Sequence, residues 1–206
     1  MFEIQKITIS KLDYATKDRY GDALSPAEQA LMEIVNGLGQ TRIGSGAFGV
    51  VYSERGSDVV YKVCEANANK AYMSFVKQLS KQKQDNPFLP KIYGCAVFTS
   101  DAQSAYGDSD KDSYFVVVME RLDDRRPDGF YDAINKVEGL CDPYESKNKE
   151  QDLLPGIKTI VPRALRQAVA LMKRAKRGCS EAGWDLHGGN FMMRGDRQLV
   201  VIDPLA

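Results

Sequence analysis

The sequence has one histidine, His187, and four cysteines, Cys64, Cys95, Cys141 and Cys179, with no C-x-x-C pair among them. A zinc centre needs clustered ligands, so none is expected, and the thiols read as the reduced cysteines of a cytosolic protein. Excess charge of either sign is also missing: 28 Lys and Arg stand against 28 Asp and Glu. Neither nucleic acid nor an anionic membrane is therefore the expected main partner. No apolar run reaches membrane-spanning length, and the opening MFEIQKITISKLDY is too polar for a signal peptide. A soluble, cytoplasmic protein is expected. Internal repeats and long low-complexity tracts are absent too.

What is present suits a folded chain. Hydrophobic residues make up 43% and charged residues 27% of the 206, enough to bury a core in one domain or a compact pair of lobes. Phe2 to Ser10 alternates loosely, as a short strand does. Ser25-Pro26-Ala27-Glu28 has capping-box form, and Leu31, Ile34, Val35 and Leu38 follow at helical spacing. From Thr41 to Val63 the pattern is strand, glycine turn, strand, turn, strand, with Arg55-Gly56-Ser57-Asp58 as the second turn. A helix follows with Tyr72, Phe75, Val76 and Leu79 on one face, which leaves Lys70, Lys77, Lys81 and Lys83 as a solvated face. Phe88–Phe98 and Tyr114–Glu120 read as strands, separated by a polar loop, TSDAQSAYGDSDKD. The stretch 123–156 is loop-rich, with a weak helical pattern around Tyr131, Ile134 and Leu140. Pro162 to Ser180 is a clearer helix, with Leu165, Val169 and Met172 inward. The loop DLHGGN and two short strands, FMMR and QLVVI, complete the chain. A β-rich half followed by a helical half predicts an α+β fold of two lobes with a cleft between them.

Three groups of residues carry chemistry. Gly44-Ser45-Gly46-Ala47-Phe48-Gly49-Val50-Val51 fits G-x-G-x-x-G-x-V, where missing Cβ atoms let backbone N–H groups approach phosphate oxygens. A plain hairpin turn is the alternative, and the valine-rich strand that follows argues against a Rossmann turn, which needs a helix there. Lys62 lies thirteen residues after Gly49, between valines at a strand end. Its ammonium suits phosphate binding, against the alternative of an edge-strand lysine that blocks aggregation. Asp185 and Asn190 stand five apart on a loop, with Asp203 thirteen residues beyond Asn190 at the end of an apolar run. A carboxylate that takes a hydroxyl proton, with an amide oxygen and a second carboxylate for magnesium, is the reading of that set. An ordinary loop aspartate with an Asx-turn asparagine is its bland counterpart.

Together these residues resemble a protein kinase catalytic core over 41–206. The Asp-Leu-His-Gly-Gly-Asn loop, with Ile-Asp-Pro at 202–204, is most similar in wording to the early Ser/Thr protein kinases of short-tailed coliphages. It is also similar to aminoglycoside and choline kinases. The resemblance implies an extension over 1–40, an N-lobe and hinge over 41–122, and a minimal C-lobe over 123–206 without an activation segment or late helices. It implies ATP with Mg2+ or Mn2+, Asp185 as catalytic base, Lys62 as phosphate clamp, and Asn190 and Asp203 as metal ligands. Gly44, Gly46 and Gly49 would meet the phosphates. Val51 and Val60 would cover the adenine from above and Met192 from below, with Met119 as gatekeeper. The backbone of Glu120 and Leu122 would meet the adenine edge. His187 would be a transition-state or loop-orienting residue, or a purely structural one.

The sequence also departs from that family. Gly183 and Trp184 stand where His and Arg precede the catalytic aspartate, which argues against control by a phosphorylated activation loop. The glutamate that pairs with the lysine is missing, because no Asp or Glu occurs between Glu65 and Asp85; Gln78 and Glu65 are the substitutes available. The expected partners are host protein substrates and ATP. A small-molecule kinase and a nucleotide-binding module without transfer are the rival readings.

Overall fold

The computed structural model describes residues 5–9, 41–46, 49–66, 68–100, 113–142 and 162–206. The expected helix over 25–39 lies outside them, as do most of the polar loops at 99–113 and 141–152. The chain is a mixed α and β protein that divides into two compact units, one holding Ile92–Arg121 with the strands before Asn69, the other Lys70–Lys91 and Leu122–Ala206.

The first unit is a six-stranded sheet. Its strands are β1 (Gln5–Ile9), β2 (Thr41–Gly46), β3 (Gly49–Ser53), β4 (Val59–Glu65), β5 (Ile92–Ser100) and β6 (Ser113–Glu120), in the spatial order β1-β5-β6-β4-β3-β2. All neighbours are antiparallel except β1 and β5, which run parallel. β-Branched and aromatic residues dominate β3, β4 and β6, as the pleated surface favours. The turn between β3 and β4 is held by Ser57 N–H donating to Glu54 O at 3.1 Å, and Gly56 takes a φ of 81° that only glycine adopts readily. On one face of this sheet Tyr52, Val63 and Val116 form a buried cluster that Val50, Tyr61 and Tyr114 flank.

β5 starts four residues later than the expected strand from Phe88. Asn86 forms an Asx turn there, its Oδ1 accepting from Phe88 N–H at 2.9 Å, and Pro90 has no N–H for a ladder. Leu89, 2% exposed, is instead core of the second unit.

Among its described residues that second unit packs three helices, α1 (Lys70–Leu79), α2 (Phe130–Cys141) and α3 (Arg163–Arg177), with a hairpin of β7 (Phe191–Arg194) and β8 (Gln198–Val201). α1 buries Ala71, Tyr72, Phe75, Val76 and Leu79, the expected stripe with one alanine added, and its lysines are exposed. α3 buries Leu165, Ala168, Val169, Leu171, Met172 and Ala175. The two helices approach closely where Ser74 Oγ donates to Ala175 O at 2.8 Å; a Cβ on Gly178 would stand 2.9 Å from that hydroxyl, and α3 ends here, before Ser180.

The weak pattern around Tyr131, Ile134 and Leu140 is a full helix of 12 residues. Phe130, Ile134, Val137 and Cys141 are buried, whereas Tyr131 is exposed. Among the described residues no helix is long and apolar enough to cross a membrane.

Candidate functional site

The residues singled out from the sequence fall into two sets, one in each unit. In the sheet, β3 and β4 pair so that Val51 stands opposite Lys62, and Lys62 stands opposite Val117 of β6. Val60, two residues before Lys62, stands opposite Met119. Directly opposed residues share a face, and side chains alternate along a strand, so Val51, Val60, Lys62 and Met119 occupy one side of the sheet. That side is opposite the Tyr52–Val63–Val116 cluster. Val60 and Met119 are buried, Val51 and Lys62 half-buried.

The same alternation removes one substitute partner for the lysine. Glu65 lies three residues beyond Lys62 on β4, hence on the other face, and is exposed. Gln78 lies on α1, within the second unit.

The three glycines of the loop are not alike. A Cβ on Gly49 would lie 2.7 Å from Val63 O and 3.1 Å from Cys64 Sγ, so close pairing of β3 and β4 already demands glycine there. A Cβ on Gly44 would meet nothing within 4 Å. Gly46 pairs with Gly49 across the turn. Glu120 ends β6 opposite Val59, the amide of Arg121 donates to Asp58 O at 2.7 Å, and Leu122 begins the second unit, just before an antiparallel bridge between Asp123 and Met193.

The set in the second unit is tightly laced. Asn190 Nδ2 donates to Asp185 Oδ2 and to Asp185 O, both at 2.8 Å. These bonds fix which way the carboxamide is turned, so its carbonyl oxygen faces away from Asp185. Asp203 is framed on both sides by backbone bonds to the same loop: Ile202 N–H donates to Asn190 O at 2.9 Å, and Asp185 N–H donates to Pro204 O at 2.9 Å. Oδ1 of Asp203 is a buried atom that accepts no hydrogen bond among the described residues, while the residue has other contacts.

His187 orients the loop. Its Nδ1 accepts from Gly189 N–H at 3.0 Å and caps the single 3-10 turn Gly188–Asn190. With Nδ1 accepting, the ring hydrogen sits on Nε2, 3.5 Å from Asp185 Oδ1. Nε2 also lies 3.2 Å from Asn190 Nδ2, where two donors meet and no bond forms in this tautomer. The glycines of DLHGGN follow from this packing. A Cβ on Gly189 would lie 2.7 Å from His187 Cε1, and one on Gly188 would lie 3.3 Å from Tyr131 Cε1.

Met192 is half-buried on β7, on the opposite side from the buried Met193. Asp123, bridged to Met193, accepts from the Arg125 amide at 2.9 Å and pairs with its guanidinium, which holds the carboxyl below the usual aspartate range.

Sequence reasoning missed two supports of this loop. Gly183 N–H donates to Ala206 O at 2.7 Å and Trp184 bridges to Leu205, so residues 204–206 pair antiparallel with 183–185. Tyr131 abuts Gly188, and its hydroxyl accepts from Arg126 Nη1 at 2.6 Å. The doubled glycine was the one available hint that something packs closely there.

Asn190 and Asp203 carry the kind of oxygen donors that a hard divalent cation takes. Among the described residues no group of three or more His, Cys, Asp or Glu could hold a metal by itself. Magnesium characteristically takes one or two protein ligands and completes its shell with phosphate oxygens and water.

No family model matches the chain, and no curated protein matches it either. Among solved structures, a crystal structure of a Haemophilus somnus 129PT protein, provisionally named a fructosamine-3-kinase, is similar to it. The likeness has a TM-score of 0.35 and 13% identity, and covers 80% of this chain. The chain spans 65% of that protein's length. A likeness of this degree assigns no residue.

Proposed function

We propose that this protein is an ATP- and magnesium-dependent phosphotransferase. The observation that carries the reading is the lacing of Asp185, Asn190 and Asp203. The Asp185 carboxylate and the Asn190 carboxamide are joined by a side-chain hydrogen bond, and the backbone on either side of Asp203 is bonded to the same loop. Phosphoryl transfer needs little covalent chemistry from a protein and much positioning and charge neutralisation.

In this reading the acceptor hydroxyl oxygen forms a bond to the γ-phosphorus as the bond to the ADP oxygen breaks. The hydroxyl proton passes to the Asp185 carboxylate. Asn190 and Asp203 would hold magnesium, which would supply neutralisation of phosphate charge. Lys62 and the backbone at Gly44, Gly46 and Gly49 hold the phosphates. Val51, Val60 and Met192 contact the adenine faces, and the backbone of Glu120 and Leu122 its edge. His187 keeps the loop in shape through its bond to Gly189.

The proposed acceptor is a protein serine or threonine, in the manner of the phage protein kinases that the loop wording resembles, with host proteins as partners. A small-molecule hydroxyl is the second reading, favoured by the histidine in the loop. Incubation with γ-labelled ATP and magnesium, with and without bacterial extract, tests all of this. Label on polypeptide supports the first reading and label on a small molecule the second. No ATP consumption with any acceptor refutes transfer and leaves a nucleotide-binding module.

A further inference from the structure

The strand that delivers Asp185 is gripped from its other end by a lysine that the proposed chemistry does not use. Lys176 lies in the last turn of α3 and is half-buried. Its Nζ donates to Ala182 O at 2.7 Å and stands 5.9 Å from the centre of the Trp184 ring. One ammonium therefore holds the backbone just before Gly183 and the side chain just after it. The following residue is Asp185.

On its other side this segment is paired with 204–206, through the Gly183–Ala206 and Asp185–Pro204 bonds and the Trp184–Leu205 bridge. Pro204 and Leu205 are buried, so that partner is itself fixed. Ala182 N–H donates to Cys179 O at 3.1 Å, which keeps the connection from α3 short. Arg174 and Arg177 share the last turn of α3, and both are exposed. All three cations suit the negative end of the helix. Only Lys176 reaches the strand.

We propose that Lys176 is a positioning residue for Asp185, acting through Ala182 and Trp184, on the reading that Asp185 is the catalytic base. The ammonium replaces, from a helix end, the support that the residues just before Asp185 do not supply, since Gly183 and Trp184 offer no cation of their own. Loss of the grip frees the strand to shift along the 204–206 ladder, and a displacement of about 1 Å at a reacting group is worth up to roughly 100-fold in rate. ATP binding does not pass through this strand.

Trp184 is the only tryptophan in the chain, so its fluorescence reports on the grip directly. The experiment compares wild type with Lys176→Met, Lys176→Arg and Arg177→Met. Lys176→Met keeps the length of the stem and removes both interactions. It is expected to red-shift Trp184 emission, increase quenching by iodide, and lower kcat about tenfold or more with KM for ATP unchanged. Lys176→Arg restores both signals. Arg177→Met removes a charge from the same turn and changes neither, which separates the grip from general helix stabilisation.

The inference is overturned if Lys176→Met leaves emission and kcat as in wild type, or if Arg177→Met lowers kcat equally. A shifted emission with unchanged kcat overturns it too, since the grip would then be structural alone. Wild-type protein that consumes no ATP with any acceptor overturns the phosphotransferase reading, and with it this role in turnover. Turnover that is intact but insensitive to Lys176→Met overturns only the positioning role.

Discussion

Asn190 donates its side-chain amide to Asp185 Oδ2 at 2.8 Å, the one carboxylate oxygen that the loop holds in place from within. An asparagine at 185 can keep that bond by turning its own carbonyl oxygen to the same position. Asp185→Asn therefore removes the base and leaves the geometry. Transfer of labelled phosphate is expected to fall by at least about 100-fold, with ATP affinity within a few fold of wild type and an unchanged melting temperature. Wild-type turnover in this variant would remove Asp185 from the reaction.

ATP binding is expected to depend on magnesium through Asn190 and Asp203. Calorimetry with and without a chelator should show tighter binding in the presence of the metal. Asp203→Ala should erase most of that difference, and Asn190→Ala a smaller part. If binding is indifferent to both the chelator and Asp203→Ala, the metal ligands lie elsewhere.

Gly44 and Gly49 are expected to part company when changed to alanine. At Gly49 the new methyl meets the carbonyl of Val63 at 2.7 Å, and a backbone oxygen within a sheet yields poorly. A loss of about 1–3 kcal/mol of stability follows, read as a lower melting temperature without nucleotide. Gly44→Ala meets no protein atom within 4 Å. It should melt like wild type and bind ATP more weakly. A Gly44→Ala variant with unaltered nucleotide affinity would leave the glycine loop as a sheet turn and nothing more.

Much of this was legible in the sequence wherever a side-chain period carried it. The stripe of α1 and the valine strands β3 and β4 follow from spacing alone, and the alternation along β4 sets Lys62 beside Val60. The approach of β3 to β4 at Gly49 was not legible, because the distance between strands leaves no mark on composition. The helix α2 is half hidden by Asp132, Asn135, Lys136 and Gly139, which dilute its apolar face and leave only a weak pattern around Tyr131, Ile134 and Leu140. Phe88 and Leu89 join the strand pattern because they are apolar, although Asn86 and Pro90 turn the chain there. The pairing of 183–185 with 204–206 joins residues some twenty positions apart through backbone atoms, which no side-chain pattern encodes. The order Asp185, Asn190, Asp203 was readable; what holds it together was not.

Thiol chemistry should separate the cysteines. Burial pushes the Cys141 thiol up to about 12 and also raises that of Cys95, while Cys64 is buried beside Gly49. The thiolate is the nucleophile, so a buried thiol with a raised pKa stays inert near pH 8. Cys179, half-exposed at the end of α3, is expected to take iodoacetamide first under native conditions, as read by peptide mass spectrometry. Early modification of Cys141 would contradict the packing of α2.

The parallel pairing of β1 with β5, from Gln5 beside Ala96 to Ile9 beside Ser100, has a consequence for the protein's behaviour in solution. β5 already pairs with β6 on its other side, so β1 is what occupies the remaining row of donors and acceptors. A form trimmed beyond Ile9 would expose that row as a template for strand addition by a second copy. Since β1 is itself the edge of the sheet, its loss would exchange a five-residue edge for the nine-residue edge of β5, and stronger strand addition would show as concentration-dependent oligomers while both sets of site residues remain in the chain.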